Sequence, residues 1–410
     1  MRKFLFNISK YLKILFLIFS YQLAHAQDHL HSHVAPTKSN DCNSRALECA
    51  NAATPFITND DQLWVVWTSG GAVSIAKSKD FGKSFEQAQV LAEHGKSLDT
   101  GGDARPQIIV DQKDRVVIAY AFFKDSQWNA QINTMVSMDK GLSFSKPQSI
   151  VRDETSQRFP VMLLQEDNQI LMSWIDKRLV AQANKTGVKK LGGSIAYGWL
   201  DQNGKIIGKE LIANQDTCEC CRIGVAQTKD RLPILVYRAI LPNSIRDHVI
   251  QTIPKNGTPG QIYPTADDQW KTDSCPHHGP SIAVSQNGSI HVAWYTQGSN
   301  RSGVFYASSS NKGQQFSVPT RLGSEGSNVG RPYMMADGSK VYLVWKEFDG
   351  QSSKVYLQIS SDDGMRWSDK KLVSQTSGYS DHPLLIKSRN KVYLSWLTRL
   401  NGYQLISLEK

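Results

Sequence analysis

The chain has 410 residues, with 47 Lys and Arg against 37 Asp and Glu, a formal charge of +10. Aromatic residues make up 9% and charged residues 20%, which fits a packed core and excludes a disordered, solvating chain. The basic excess is mild and scattered, with no Lys/Arg block to track phosphates, so nucleic acid is set aside as a partner.

Arg2, Lys3, Lys10 and Lys13 precede the apolar run Ile14-Leu15-Phe16-Leu17-Ile18-Phe19, and Ala24-His25-Ala26 follows. A basic region, a short apolar core and an A-x-A site predict a signal peptide over 1–26, cut before Gln27. The core is well short of the ~20 residues that span a bilayer, so no membrane span is expected. The mature chain is then periplasmic or secreted. Residues 27–50 form an N-terminal His/Cys segment. Its His29, His31 and His33 are a solvated tail or a copper-capturing strand, and Cys42 and Cys49 make the simplest local disulfide.

Length alone suggests two or three domains. From 51 to 410, however, one unit repeats. A short apolar strand and a turn lead to a second strand ending in an aromatic, as in Pro55-Phe56-Ile57 to Leu63-Trp64-Val65-Val66-Trp67. Further copies end at Tyr120, Trp174, Tyr237, Trp294, Trp345 and Trp396, at intervals of 51 to 63 residues. Each interval holds about four short strands with Gly, Asn and Asp turns and no helical periodicity. Seven such units predict a single all-β domain, a β-propeller of seven four-stranded blades, with six as the alternative count. The last unit is short, so a strand from the N-terminal segment is expected to complete it and close the ring.

Four units carry Ser-x-Asp-x-Gly-x-x-aromatic, at Ser78–Phe85, Ser137–Phe144 and Ser360–Trp367, with Asn311 replacing Asp in Ser309–Phe316. The Asp or Asn accepts backbone N–H groups across a tight turn, and the Gly takes positive φ. The residues just before the inner strands are unusually polar: Asp103, Arg105, Arg158, Arg222, His277, His278, Arg331, Asp381 and His382. Propeller geometry points them inward as one ring, suited to an anionic ligand or a metal.

With its Asp-box motifs, Cys218–Arg222, Cys275–Pro280, Lys346–Gly350 and Ser380–Pro383, the sequence resembles exported bacterial Asp-box (BNR-repeat) proteins of the sialidase superfamily. The resemblance implies a glycosidase of exo-α-sialidase type acting on an acidic glycan, or non-catalytic binding of an anionic ligand, with no cofactor required. It places the Asp-boxes on the outer rim, away from the active face. It implies Arg105, Arg222 and Arg331 as a carboxylate clamp, with Arg158 as substitute and His382 beside them. Tyr379 would be the nucleophile, Asp103 or Asp176 the acid, and Glu154 or Glu347 the partner of the tyrosine. The sequence departs from the family where Thr54-Pro55-Phe56 opens the first unit without an Arg, and in having seven units against six blades.

The remaining signal is a Cys/His cluster. Cys218, Cys220, Cys221, Cys275, His277 and His278 either pin neighbouring loops through a disulfide or form a copper, zinc or thiol-redox site. No standard zinc spacing is present.

Overall fold

A computed structural model of the chain describes residues 42, 44–151, 155–272, 276–389 and 391–409. The predicted signal peptide, His29, His31, His33, Glu154 and Cys275 lie outside them. Seven antiparallel sheets follow one another in sequence. Blade 1 holds β1–β4 (Ala52–Ile57, Leu63–Ser69, Ala72–Ser78, Gln89–Glu93) and blade 2 holds β5–β8 (Gln107–Val110, Val116–Phe123, Ala130–Ser137, Gln148–Ser149). Blade 3 holds β9–β12 (Gln157–Leu164, Ile170–Asp176, Gly193–Leu200, Leu211–Thr217) and blade 4 holds β13–β16 (Gly224–Gln227, Pro233–Arg238, His248–Thr252, Tyr263–Pro264). Blade 5 holds β17–β20 (Ser281–Val284, Ile290–Gln297, Ser302–Ser309, Thr320–Leu322) and blade 6 holds β21–β24 (Asn328–Asp337, Lys340–Phe348, Ser353–Ser360, Lys371–Thr376). Blade 7 holds β25–β27 (Leu384–Ser388, Lys391–Thr398, Gly402–Ser407).

The first strand of each blade touches the first strand of the next, and β25 returns to β1, so the seven inner strands close a ring. This is the seven-bladed propeller that the repeat predicts. The second strands are covered on both faces by neighbouring blades, which is why they read as nearly unbroken apolar runs. Their tryptophans Trp67, Trp174, Trp294, Trp345 and Trp396 are all at most 1% exposed. Each indole N–H finds an acceptor, as a buried Trp requires: the Arg45 carbonyl, Asp176, Asp268, Glu347 and the Asp381 carbonyl, at 2.8–3.0 Å.

The seam between blades 7 and 1 differs from the expected closure. Among the described residues the last sheet has three strands, and no N-terminal strand joins it. Instead Leu47–Cys49 forms a short 3-10 turn against β27 and β2, and Leu47 and Ala50 pack with Leu63, Trp67 and Leu397. Cys42 and Cys49 are joined by a disulfide. A second departure is a two-turn helix, α1 (Arg178–Lys185), inserted between β10 and β11. No helix among the described residues is long and apolar enough to cross a membrane.

The Ser-x-Asp-x-Gly segments are the turns between third and fourth strands. In the first, Gly82 N–H donates to Ser78 Oγ at 2.8 Å and Ser84 N–H to Asp80 Oδ1 at 2.9 Å, with Gly82 at φ 82°. The other three repeat this pattern around Ser137, Ser309 and Ser360. These hydroxyl and amide donors hold the Asp80 carboxyl down at about 2, so it is a fixed acceptor rather than a proton carrier.

Candidate functional site

The loops that lead into the inner strands meet at one mouth of the channel. Asp103 is their hub. It is 7% exposed, and Arg331 Nη1 donates to its Oδ2 at 3.2 Å. Its Oδ1 lies 3.8 Å from Arg222 Nη1 and 3.6 Å from His382 Nδ1 and has no hydrogen-bond partner among the described residues. Arg222 Nη1 also lies 3.5 Å from His382 Nδ1, and its Nη2 is anchored on the Pro332 carbonyl at 2.9 Å. Arg331 sits at φ 56°, a strained left-handed conformation directly before Pro332 and within a bulge of β21.

Two glycines make room for this cluster. A Cβ on Gly279 would lie 2.0 Å from Arg222 Cγ, and one on Gly102 would lie 2.7 Å from His382 Cε1. Lys346, on β22, completes the group, its Nζ donating to the Ser380 carbonyl at 3.2 Å. Burial, with Arg331 adding repulsion, pulls the Lys346 ammonium down to about 8. Burial and the surrounding cations Arg331, Arg105, Arg222 and Lys346 push His382 well below the ordinary imidazole range, so it is neutral. The mouth therefore gathers Arg222 and Arg331 around one incompletely satisfied carboxylate, with Lys346 near Arg331 and the neutral His382 imidazole.

The structure brings Asp103, Arg222, Arg331 and His382 together, but several expected roles are not formed. Arg105 is spent on a different job: its Nη2 donates to Asp381 Oδ1 at 2.8 Å and its Nη1 to the Ala53 carbonyl at 2.9 Å, at 5% exposure. Arg158 is held by Asp99 at 2.8 Å and wedged between Phe123 and Phe159. The Tyr379 hydroxyl donates to the Asn51 carbonyl at 2.7 Å, and burial, with the Asp381 charge nearby, pushes the phenol above its ordinary range. Glu347 is held by the Trp345 indole, the Ser324 N–H and Lys370, so it does not partner Tyr379. Asp176 is saturated in the same way by Trp174 and Arg178.

Cys218, Cys220 and Cys221 converge: among the described residues, only they form a group of three ligand atoms within 4.8 Å. Neither histidine ring is in that group, although His277 hydrogen-bonds the Cys220 backbone. His278 stacks on Tyr295 at 4.1 Å between centroids. His277 packs on Phe159 beside the charges of Asp103, Arg158 and Arg331, and burial keeps it neutral. Lys346, Gly102, Gly279, Arg238, Arg246 and His248 were not anticipated. Lys346 and Gly279 do stand in the Lys346–Gly350 and Cys275–Pro280 motifs, while Gly102 and Arg238 carry no such signal.

The opposite mouth has a depression of about 460 Å³ bearing both signs of charge. There Arg231 pairs with Glu166 at 2.9 Å and Lys387 with Asp337 at 2.5 Å, leaving no one-signed field.

No protein-family model matches the sequence, and no curated protein sequence matches it significantly. Solved structures do share its fold. The BP39L lectin from Burkholderia pseudomallei superposes with a TM-score of 0.60 at 9% identity, over 88% of this chain and 99% of that one. An ulvan lyase of polysaccharide lyase family PL25, bound to -[GlcA(1-4)Rha3S]-, gives 0.56 at 9% identity over 86% and 90%. The Hadza microbial sialidase Hz136 gives 0.46 at 12% identity over 87% and 65%. At these identities the likeness to the lectin and the lyase shows the β-propeller fold alone.

Proposed function

We propose that this chain is an exported glycan-recognition propeller whose Asp103 mouth binds the carboxylate or sulfate of an acidic glycan. The observation that carries the reading is the convergence of Arg222 and Arg331 on Asp103, whose Oδ1 lacks a hydrogen-bond partner among the described residues. Guanidinium forks suit planar oxyanions, and a half-buried site strengthens each charge-assisted bond. Asp103 keeps the two guanidiniums in place before a ligand arrives, and neutral His382 offers a hydrogen bond to a sugar hydroxyl. Two propellers of like fold are by name a lectin and a polysaccharide lyase with a glucuronate- and sulfate-bearing ligand, which supports a carbohydrate partner.

Binding without sialoside hydrolysis is the form we favour, because the Tyr379 hydroxyl is committed to the Asn51 carbonyl and makes no hydrogen bond with a carboxylate among the described residues. Titration calorimetry against glucuronate- and sialic acid-bearing oligosaccharides, with neutral analogues as controls, tests the reading. Saturable binding of acidic glycans alone is expected, weakened at least tenfold in Arg222→Met and Arg331→Met. Equal affinity for neutral analogues, or no effect of either substitution, would sink it. Turnover of a fluorogenic sialoside would restore the hydrolase reading.

A further inference from the structure

The mouth carries an exposed aromatic ring that the anion site does not use. In blade 2 the second strand runs antiparallel to the inner one, so the loop after it, 124–129, opens on the side of the mouth. Trp128 in that loop is 70% exposed, and it alone of the ten tryptophans is exposed. It sits at φ 62°, where a bulky side chain is disfavoured. Asp125 fixes the turn. Its Oδ1 accepts the Gln127 N–H at 2.9 Å and the Asn129 N–H at 3.1 Å, and its Oδ2 accepts from Asn129 Nδ2 at 2.8 Å. The same turn recurs at Asp201–Lys205 and Asp111–Arg115, where Gly204 and Asp114 fill the left-handed position. Those residues take that conformation at little cost, whereas a tryptophan there is strained and recovers little burial.

A continuous wall joins this ring to the anion site. Phe123 stands at 87° to the indole, with 4.9 Å between centroids. The Arg158 guanidinium covers Phe123 at 4.9 Å and Phe159 at 4.5 Å, and Asp99 holds it at 2.8 Å. Phe159 packs with Ala104, the residue after Asp103. The charge of Arg158 is thus paired and both Asp125 oxygens are taken up by the turn, so the Trp128 end of the wall is an apolar platform. The cations that attract an anion, Arg222 and Arg331, stand at its other end. Sugar C–H groups pack against the negative face of an indole, and an aromatic floor without free charge suits a neutral ring.

We infer that Trp128 is the stacking platform for a neutral sugar ring. The ligand is then an acidic oligosaccharide lying from blade 2 to Asp103, not a single terminal acidic sugar. This rests on the proposed binding of an acidic glycan at that mouth.

The test gives the full chain glucuronic acid and glucuronate–N-acetylglucosamine oligosaccharides of two, four and six rings. Calorimetry reads affinity, and acrylamide quenching of fluorescence reads the exposed tryptophan, assigned by its loss in Trp128→Asn. The longest oligosaccharide should protect Trp128 from the quencher, and glucuronic acid should not. Affinity should rise at least tenfold from one ring to six. Asparagine accepts the left-handed turn, so the urea midpoint of Trp128→Asn should not fall, yet its gain in affinity with length should vanish. Trp128→Phe should keep part of that gain, and Arg222→Met should weaken binding at every length alike. The platform is overturned, with the mouth reading intact, if glucuronic acid binds but wild type gains nothing with length. It is overturned in the same way if Trp128→Asn retains the gain, or if bound oligosaccharide leaves Trp128 open to the quencher. No binding at any length overturns both.

Discussion

Arg105 and Asp381 lie 276 residues apart and meet in a bidentate pair, Nη2 on Oδ1 at 2.8 Å and Nη1 on Oδ2 at 3.3 Å. Asp381 Oδ2 also accepts the Ala53 N–H at 2.9 Å, while Arg105 donates to the Ala53 carbonyl. One residue of β1 is thus clasped from blade 2 and blade 7 at once. Removing one partner strands a buried charge, so Arg105→Leu or Asp381→Leu should cost about 3–5 kcal/mol in urea unfolding. The double variant should recover much of that loss, and additive losses would show that the pairing is not what matters.

Lys346 should impose a pH dependence on anion binding. Its ammonium titrates near 8, so affinity for an acidic glycan should fall as pH rises from 7 to 9. Lys346→Arg stays charged over that range and should flatten the profile. An unchanged slope in the variant would assign the effect elsewhere.

Gly279→Ala adds one methyl group and removes no polar atom. Because its Cβ would overlap Arg222 Cγ, it should displace that side chain and weaken anion binding about as much as Arg222→Met. Calorimetry on both variants beside wild type gives the comparison.

Stability should decline early on acidification. His248 and His382 have pKa values depressed far below 6.5, so below that pH the unfolded chain takes up protons that the native chain refuses. Each should remove about 1.4 kcal/mol per pH unit below about pH 6, down to its depressed native value. Urea midpoints at pH 7.5, 6 and 5 measure it. Stability constant between pH 7 and 5 would contradict the burial of these rings as neutral groups.

Tyr379→Phe separates the two readings of the mouth. It removes one hydrogen bond to the Asn51 carbonyl and should cost about 1 kcal/mol of stability without changing glycan affinity. A selective loss of turnover would instead mark the hydroxyl as reactive.

The seven units were legible because each second strand must bury a large aromatic between two sheets. The α1 insertion was not, since eight residues make barely two turns, too short a run to establish a helical period. Positions before the inner strands correctly grouped Asp103, Arg222, Arg331 and His382. Their division of labour was hidden, because the partner of Arg105 lies at the far end of the chain. Glu347 and Asp176 carried a readable warning: each follows a buried Trp by two residues and is taken by that indole. Gly102 and Gly279 matter only through what stands opposite them in space.

The clasp at Ala53 also has a kinetic side. No described strand stitches blade 7 to the N-terminal segment, so the seam is shut by side chains that come together only when the first and last blades are both in place. Contacts of such sequence separation form late and slowly. A chain emerging from synthesis therefore has six blades stacked before Asp381 exists to fasten them, and until then the bare flank of blade 1 is the surface most exposed to misassembly.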